Sequence, residues 1–192
     1  MFSFFKKKLE RQKANPIVVA RIKNNNFLSA VNSIQGMTEE NIPIVEPIVG
    51  DLLLTYAIDT GENYISISPT ILKDYNLSKT DLLNLSKRHG LNILKDLRIN
   101  TDGQIYQLAA AENMTACTIL FSELWQQIES ELGCNVIVSF AHRDSVLYAR
   151  TDSESSINAL KVFVSKMDFT ETHALSEKFF RLNDGQWQEV SP

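Results

Sequence analysis

At 192 residues, 44% of them hydrophobic and 22% charged, the chain is long enough to bury one sizeable core, and its composition excludes disordered and fibrous classes. Nineteen basic against 23 acidic residues give a formal charge of −4, which weighs against binding to a nucleic-acid backbone. No apolar run approaches the roughly 18 residues of a membrane span.

The chain opens with MFSFFKKKLERQK. Phe2, Phe5 and Leu9 fall on one helical face, with Lys6, Lys7, Lys8 and Arg11 around it. Aromatic residues precede the lysines, the reverse of a secretory signal, so the expected location is cytoplasmic. Such a helix would suit an anionic membrane. Charge favours docking on the protein instead: residues 1–23 hold seven basic residues and one acid, whereas the remainder holds 12 basic and 22 acidic residues.

Pro16 then opens an extended run over 17–22, and the three asparagines at 24–26 mark a turn or helix start. Pro43 and Pro47 interrupt the next segment, which reads as a connector. Residues 1–50 are therefore expected to be a basic helix plus connector, and 51–192 the main domain. A strand over 52–58, a turn at 59–62 and a period-two strand over 64–68 follow. Ser78 and Asp81 form a capping pair for a helix with Leu82, Leu85, His89 and Ile93 along one stripe; Gly90 is expected to bend or break it. Asp102-Gly103 predicts a hairpin. Leu120, Phe121, Leu124, Trp125, Ile128 and Leu132 line the apolar face of the next helix, which Gly133 ends. Strands over 134–140 and 146–149 flank a turn, 155–167 returns to helical spacing, and a last hairpin turns at 183–185. These elements predict an α+β fold, a mixed or antiparallel sheet packed by three to four helices, in a single main domain.

Cys117 and Cys134 have no neighbouring metal-ligand pattern and are read as reduced thiols, small hydrophobes in apolar surroundings. Four segments in order, TYAIDTGENYISI, LNILKDL, ELWQQIESELGCNVIVSFAHRDSVLYA and FFRLNDGQWQEV, resemble the YtpQ family of uncharacterised bacterial cytosolic proteins over about residues 51–190. The shared motifs are an Asp-x-Gly turn, a His-x-Asp between two strands and a closing hairpin. The resemblance implies an α+β fold and a cytoplasmic location, and it implies no reaction.

Three constellations mimic chemistry. Asp59-Thr60-Gly61 has the form of an aspartic-protease loop, but that reaction needs two carboxylates sharing a proton, and one copy is present. His142-Arg143-Asp144 matches the tripeptide of a kinase catalytic loop without the glycine-rich loop, strand lysine or Asp-Phe-Gly that phosphoryl transfer requires. His142 and Asp144 also have metal-ligand spacing, since i and i+2 on a strand share a face. The other two histidines, His89 and His173, fall on a helix and in a loop at no fixed distance, so no metal, cofactor or catalytic set is assigned.

The functional expectation is a non-enzymatic cytoplasmic binding protein, an adaptor or a toxin-neutralising inhibitor of the immunity type. It would act through an acidic surface on a basic protein partner. Asp59, Glu62, His142, Arg143, Asp144 and Asp184, all on turns, are the expected contacts. The alternative is a small-ligand binder or enzyme with its site at the His142–Asp144 turn, which a pocket there would favour.

Overall fold

The computed structural model describes residues 16–110 and 114–192. The expected basic helix lies outside them. The fold is α+β, built from two sheets whose strand pairs are all antiparallel.

The first sheet is organised by β3 (Leu52–Asp59), whose LLLTYAID is buried at every position but the last. A strand this apolar must be covered on both faces. β1 (Ile17–Asn24) pairs along its whole length, from Ile17 opposite Asp59 to Asn24 opposite Leu52. The other edge is shared by β2 (Val45–Val49) near the start of β3 and β4 (Tyr64–Ser66) near its end. The expected connector is thus partly sheet. β2 tolerates Pro47 because it is an edge strand with a register shift between Pro47 and Val49, so the missing N–H leaves no ladder bond broken. The boundary expected between residues 50 and 51 falls at the turn joining β2 to β3, within one sheet.

Short helices α1 (Asn25–Asn32) and α2 (Pro69–Asp74) precede the longer α3 (Lys79–Lys95), which packs on β1. Ser78 and Asp81 cap α3 as expected: the Ser78 N–H donates to Asp81 Oδ2 at 2.8 Å, and the Asp81 N–H donates to Ser78 Oγ at 3.2 Å. Gly90 does not break α3. A Cβ there would lie 2.6 Å from the Phe121 ring, so the glycine admits that ring against the helix backbone.

The second sheet runs in the order β10-β9-β7-β8-β6-β5. Its strands are β5 (Arg98–Thr101), β6 (Tyr106–Ala109), β7 (Val136–His142), β8 (Ser145–Arg150), β9 (Phe179–Asn183) and β10 (Gln186–Val190). Alternation along β7 and β8 divides two packing faces. Val136, Val138, Phe140, Val146 and Tyr148 join the large core that also contains β1 and β3 side chains. Ile137, Leu147 and Ala149 point the other way, to Leu160 and Val164 of α5 (Glu154–Val164).

Against the second sheet lies α4 (Ser122–Leu132), which buries Trp125 and Ile128, sets Trp125 beside Phe140, Tyr148 and Trp187, and ends at Gly133 with φ 70°. A 3-10 helix, Thr115–Leu120, precedes it and is buried over its first five residues. The sequence reading missed this element. The described residues hold five α-helices, and α1 begins at the asparagines expected to mark a turn or helix start.

Candidate functional site

His142 closes β7 and pairs with Ser145 at the start of β8, which leaves Arg143 and Asp144 as the connecting turn. Main-chain bonds hold this turn from two sides. On one, the Ala116 N–H donates to Arg143 O at 2.9 Å and Thr115 Oγ1 donates to Asp144 O at 2.9 Å, so the 3-10 helix serves as its floor. On the other, the Arg143 N–H donates to His173 O at 3.0 Å, and the Leu175 N–H donates to Ala141 O at 2.8 Å. The Asn24 side-chain amide, at the end of β1, donates to the carbonyls of Ala174 and Leu175 and ties the same loop to the first sheet. Chain segments from four parts of the sequence meet here.

The side chains this frame presents are half-buried. Arg143 Nε donates to Asp144 Oδ1 at 3.0 Å, while Asp144 Oδ2 lies 3.8 Å from His142 Nδ1. His142 Nδ1 accepts a long bond, 3.3 Å, from the Asp144 N–H. His173, at no set distance in the sequence, is brought against His142: the two rings meet edge to face with centroids 5.8 Å apart. Ligand atoms of His142, Asp144 and His173 all lie within 4.8 Å of one another. No signal in residue spacing could have found His173, because its position depends on the loop before β9 crossing the end of β7.

A cleft beside the turn is lined by Arg21, Lys23 and Arg143 together with Met114, Ala116 and Cys117. Its interior, about 10 Å³, has room for one water molecule. Lys23 is crowded: burial first, then the charges of Arg21 and Arg143, hold its ammonium below the usual lysine range. Its Nζ sits over the Phe27 ring, 5.2 Å from the centroid, which offsets part of that cost.

The six residues expected to form one surface fall into three groups. Asp59 and Glu62 occupy the β3–β4 turn, where Asp59 Oδ1 accepts from the Gly61 N–H at 2.7 Å; the aspartate there shapes the turn expected over 59–62. This turn adjoins Ile17, at the opposite end of β1 from Asn24 and hence about 23 Å along the strand from the loop that holds His173. Asp184 lies in the β9–β10 turn. Because β9 runs antiparallel to β7 with Val138 opposite Phe180, that turn lies beyond the Val136 end of β7, about 25 Å from His142. Asp184, exposed, also takes a left-handed backbone conformation at φ 48°.

Comparison with known proteins finds partial likenesses to transaldolases. The chain is 29% identical over 103 residues to a transaldolase of Shewanella sediminis (strain HAW-EB3), and 27% identical over 103 residues to one of Shewanella oneidensis. Each alignment covers 53% of this chain and 31% of the relative, so the chain matches under a third of the length of these curated relatives. No family model and no solved structure matches the chain.

Proposed function

We propose that this protein is a non-enzymatic binding protein, an adaptor or a toxin-neutralising inhibitor of the immunity type, which recognises a protein partner at the end of β7. The observation that carries the reading is the bracing of the His142–Asp144 turn, whose main-chain atoms bond to the 3-10 helix on one side and to the His173 loop on the other. Polar side chains held in place before contact lose little freedom on binding, which is how a rigid turn becomes a recognition element. The adjacent cleft, with room for one water, is far below the several hundred cubic ångströms that enclose an organic ligand.

Charge supports a basic partner. Beyond residue 23 the chain holds 22 acidic against 12 basic residues, a field that attracts cations at long range. Since Asp59, Glu62 and Asp184 stand at other ends of the sheets, the acidic body supplies attraction and the His142–Asp144 turn supplies fixed contacts. Membership of the YtpQ family and a cytoplasmic location, which two free thiols fit, belong to the same proposal. Transaldolase activity does not, because the shared segment is under a third of those enzymes.

The test is affinity capture from a lysate of the source cells, followed by binding kinetics with the recovered protein. A single stoichiometric partner is expected, with an association rate that falls steeply as salt rises. Arg143→Glu and Asp144→Lys should weaken capture at least tenfold, while Asp184→Asn, at the far end of the sheet, leaves it unchanged. Equal capture by the turn variants, or a small molecule retained in place of a protein, would overturn the reading.

A further inference from the structure

We infer that His142, Asp144 and His173 form a binding site for a divalent transition-metal ion of the zinc type. This goes beyond the binding-protein reading and does not depend on it. The inference starts from the three ligand atoms gathered within 4.8 Å of one another. Two ligands of a tetrahedral zinc ion, each about 2.0–2.1 Å from the metal, stand roughly 3.4 Å apart. His142 Nδ1 and Asp144 Oδ2, at 3.8 Å, need to close by only a few tenths of an ångström. Among the described residues, Nδ1 accepts the long bond from the Asp144 N–H, a contact that a metal would replace at small cost.

Donor type narrows the ion. Two imidazoles and one carboxylate suit zinc and its first-row neighbours, whereas calcium and magnesium require oxygen ligands. Three protein ligands also leave a tetrahedral ion one position for water or a partner's side chain.

The surroundings match what metal ligands need. Arg143 Nε occupies Asp144 Oδ1, which orients the carboxylate and leaves Oδ2 facing His142. His173 is placed by its own carbonyl, through the bond from the Arg143 N–H, and by the bridge between His142 and Ala174. A hydrogen-bonded His142–Asp144 pair would explain two of these residues by itself. It gives no reason for His173 to stand edge to face against His142. Arg143, paired with Asp144, and the neighbouring Arg21 and Lys23 oppose a cation here. The site should therefore select a strongly coordinating ion over a weakly coordinating one.

Titration of the tag-free full chain with zinc chloride, followed by calorimetry and by thermal melting, tests the site. One ion per chain is expected at micromolar concentration, with a rise in melting temperature that magnesium does not reproduce. His173→Ala, His142→Ala and Asp144→Asn should each weaken zinc at least tenfold. Asp59→Asn, at the other turn, should leave it unchanged. Cobalt substituted into the wild type gives an independent readout, a visible absorption band of tetrahedral intensity that is lost in His173→Gln. Binding that survives both histidine substitutions, or no saturable zinc binding by the folded wild type, would overturn the inference.

Discussion

Trp125 shows how much of the core rests on single side chains. Fully buried, it stands edge-on to Phe140, Tyr148 and Trp187, with ring centroids 6.0, 5.8 and 5.5 Å away. Its indole N–H donates to Thr118 O at 2.9 Å. Trp125→Ala should cost about 3–5 kcal/mol in urea unfolding through lost burial and a cavity. Trp125→Phe keeps an aromatic ring but loses the indole bond to a carbonyl that still accepts from the Phe121 N–H at 3.1 Å, so it adds about 1 kcal/mol to whatever the smaller ring loses. A loss under about 1 kcal/mol for the alanine variant would contradict this packing. The two thiols contrast in the same way. Burial pushes Cys117 up to about 12, and its thiol faces Ala20 O at 3.2 Å; Cys134 is partly exposed. Since the thiolate is the reactive form, a thiol reagent at pH 8 should label Cys134 in the native protein and reach Cys117 only on unfolding. Cys134→Ser should leave the folded protein unlabelled. Rapid labelling of both thiols would contradict the burial.

At the scale of elements, the most exacting local requirement is the β9–β10 turn. Asn183 pairs with Gln186, so Asp184 and Gly185 alone make the connection, both at positive φ, 48° and 76°. That is the hairpin geometry whose twist matches the strands, and aspartate before glycine is among the few pairs that adopt it without strain. Asp184→Asn and Asp184→Gly should lie within about 0.5 kcal/mol of wild type, whereas Asp184→Val should lose roughly 1–2 kcal/mol. Equal stability of all three in chemical denaturation would show that the turn has another conformation. This hairpin, the Ser78–Asp81 cap and the β3–β4 turn were legible in the sequence because each is set by residues within a few positions. β2 was hidden by Pro47, a strand breaker that only an edge position excuses. The 3-10 helix was hidden because its TACTIL has no helical stripe: with Thr115 through Ile119 all buried, no polar face exists to mark a period. Of the candidate site, His142 and Asp144 were visible as a pair. His173 was not, since its place comes from long-range bonds to Arg143 and Ala141.

Across the whole molecule, one core joins the two sheets, with β1 and β3 side chains and those of β7, β8 and β9 in a single cluster. A protein so joined should unfold in one cooperative step. The 3-10 helix lies at the junction. Trp125 donates to Thr118 O and Trp187 to Ile119 O, from α4 and β10 respectively. Cys117 reaches back to β1, and Ala116 and Thr115 hold the β7–β8 turn. Five of its six residues thus have partners in elements from opposite ends of the described chain. Their backbone cannot open while the surrounding structure stays closed, and this has a kinetic consequence. In deuterated solvent the Ala116 amide, buried and bonded to Arg143 O at 2.9 Å, should exchange only through global opening, and its exchange free energy should fall with urea on the slope of whole-molecule unfolding. The Gly61 amide, bonded within an exposed turn, should exchange by local fraying with almost no urea dependence. A flat urea dependence at Ala116 would mean that the floor of the His142–Asp144 turn opens on its own, and the turn would then be a mobile latch rather than a fixed edge.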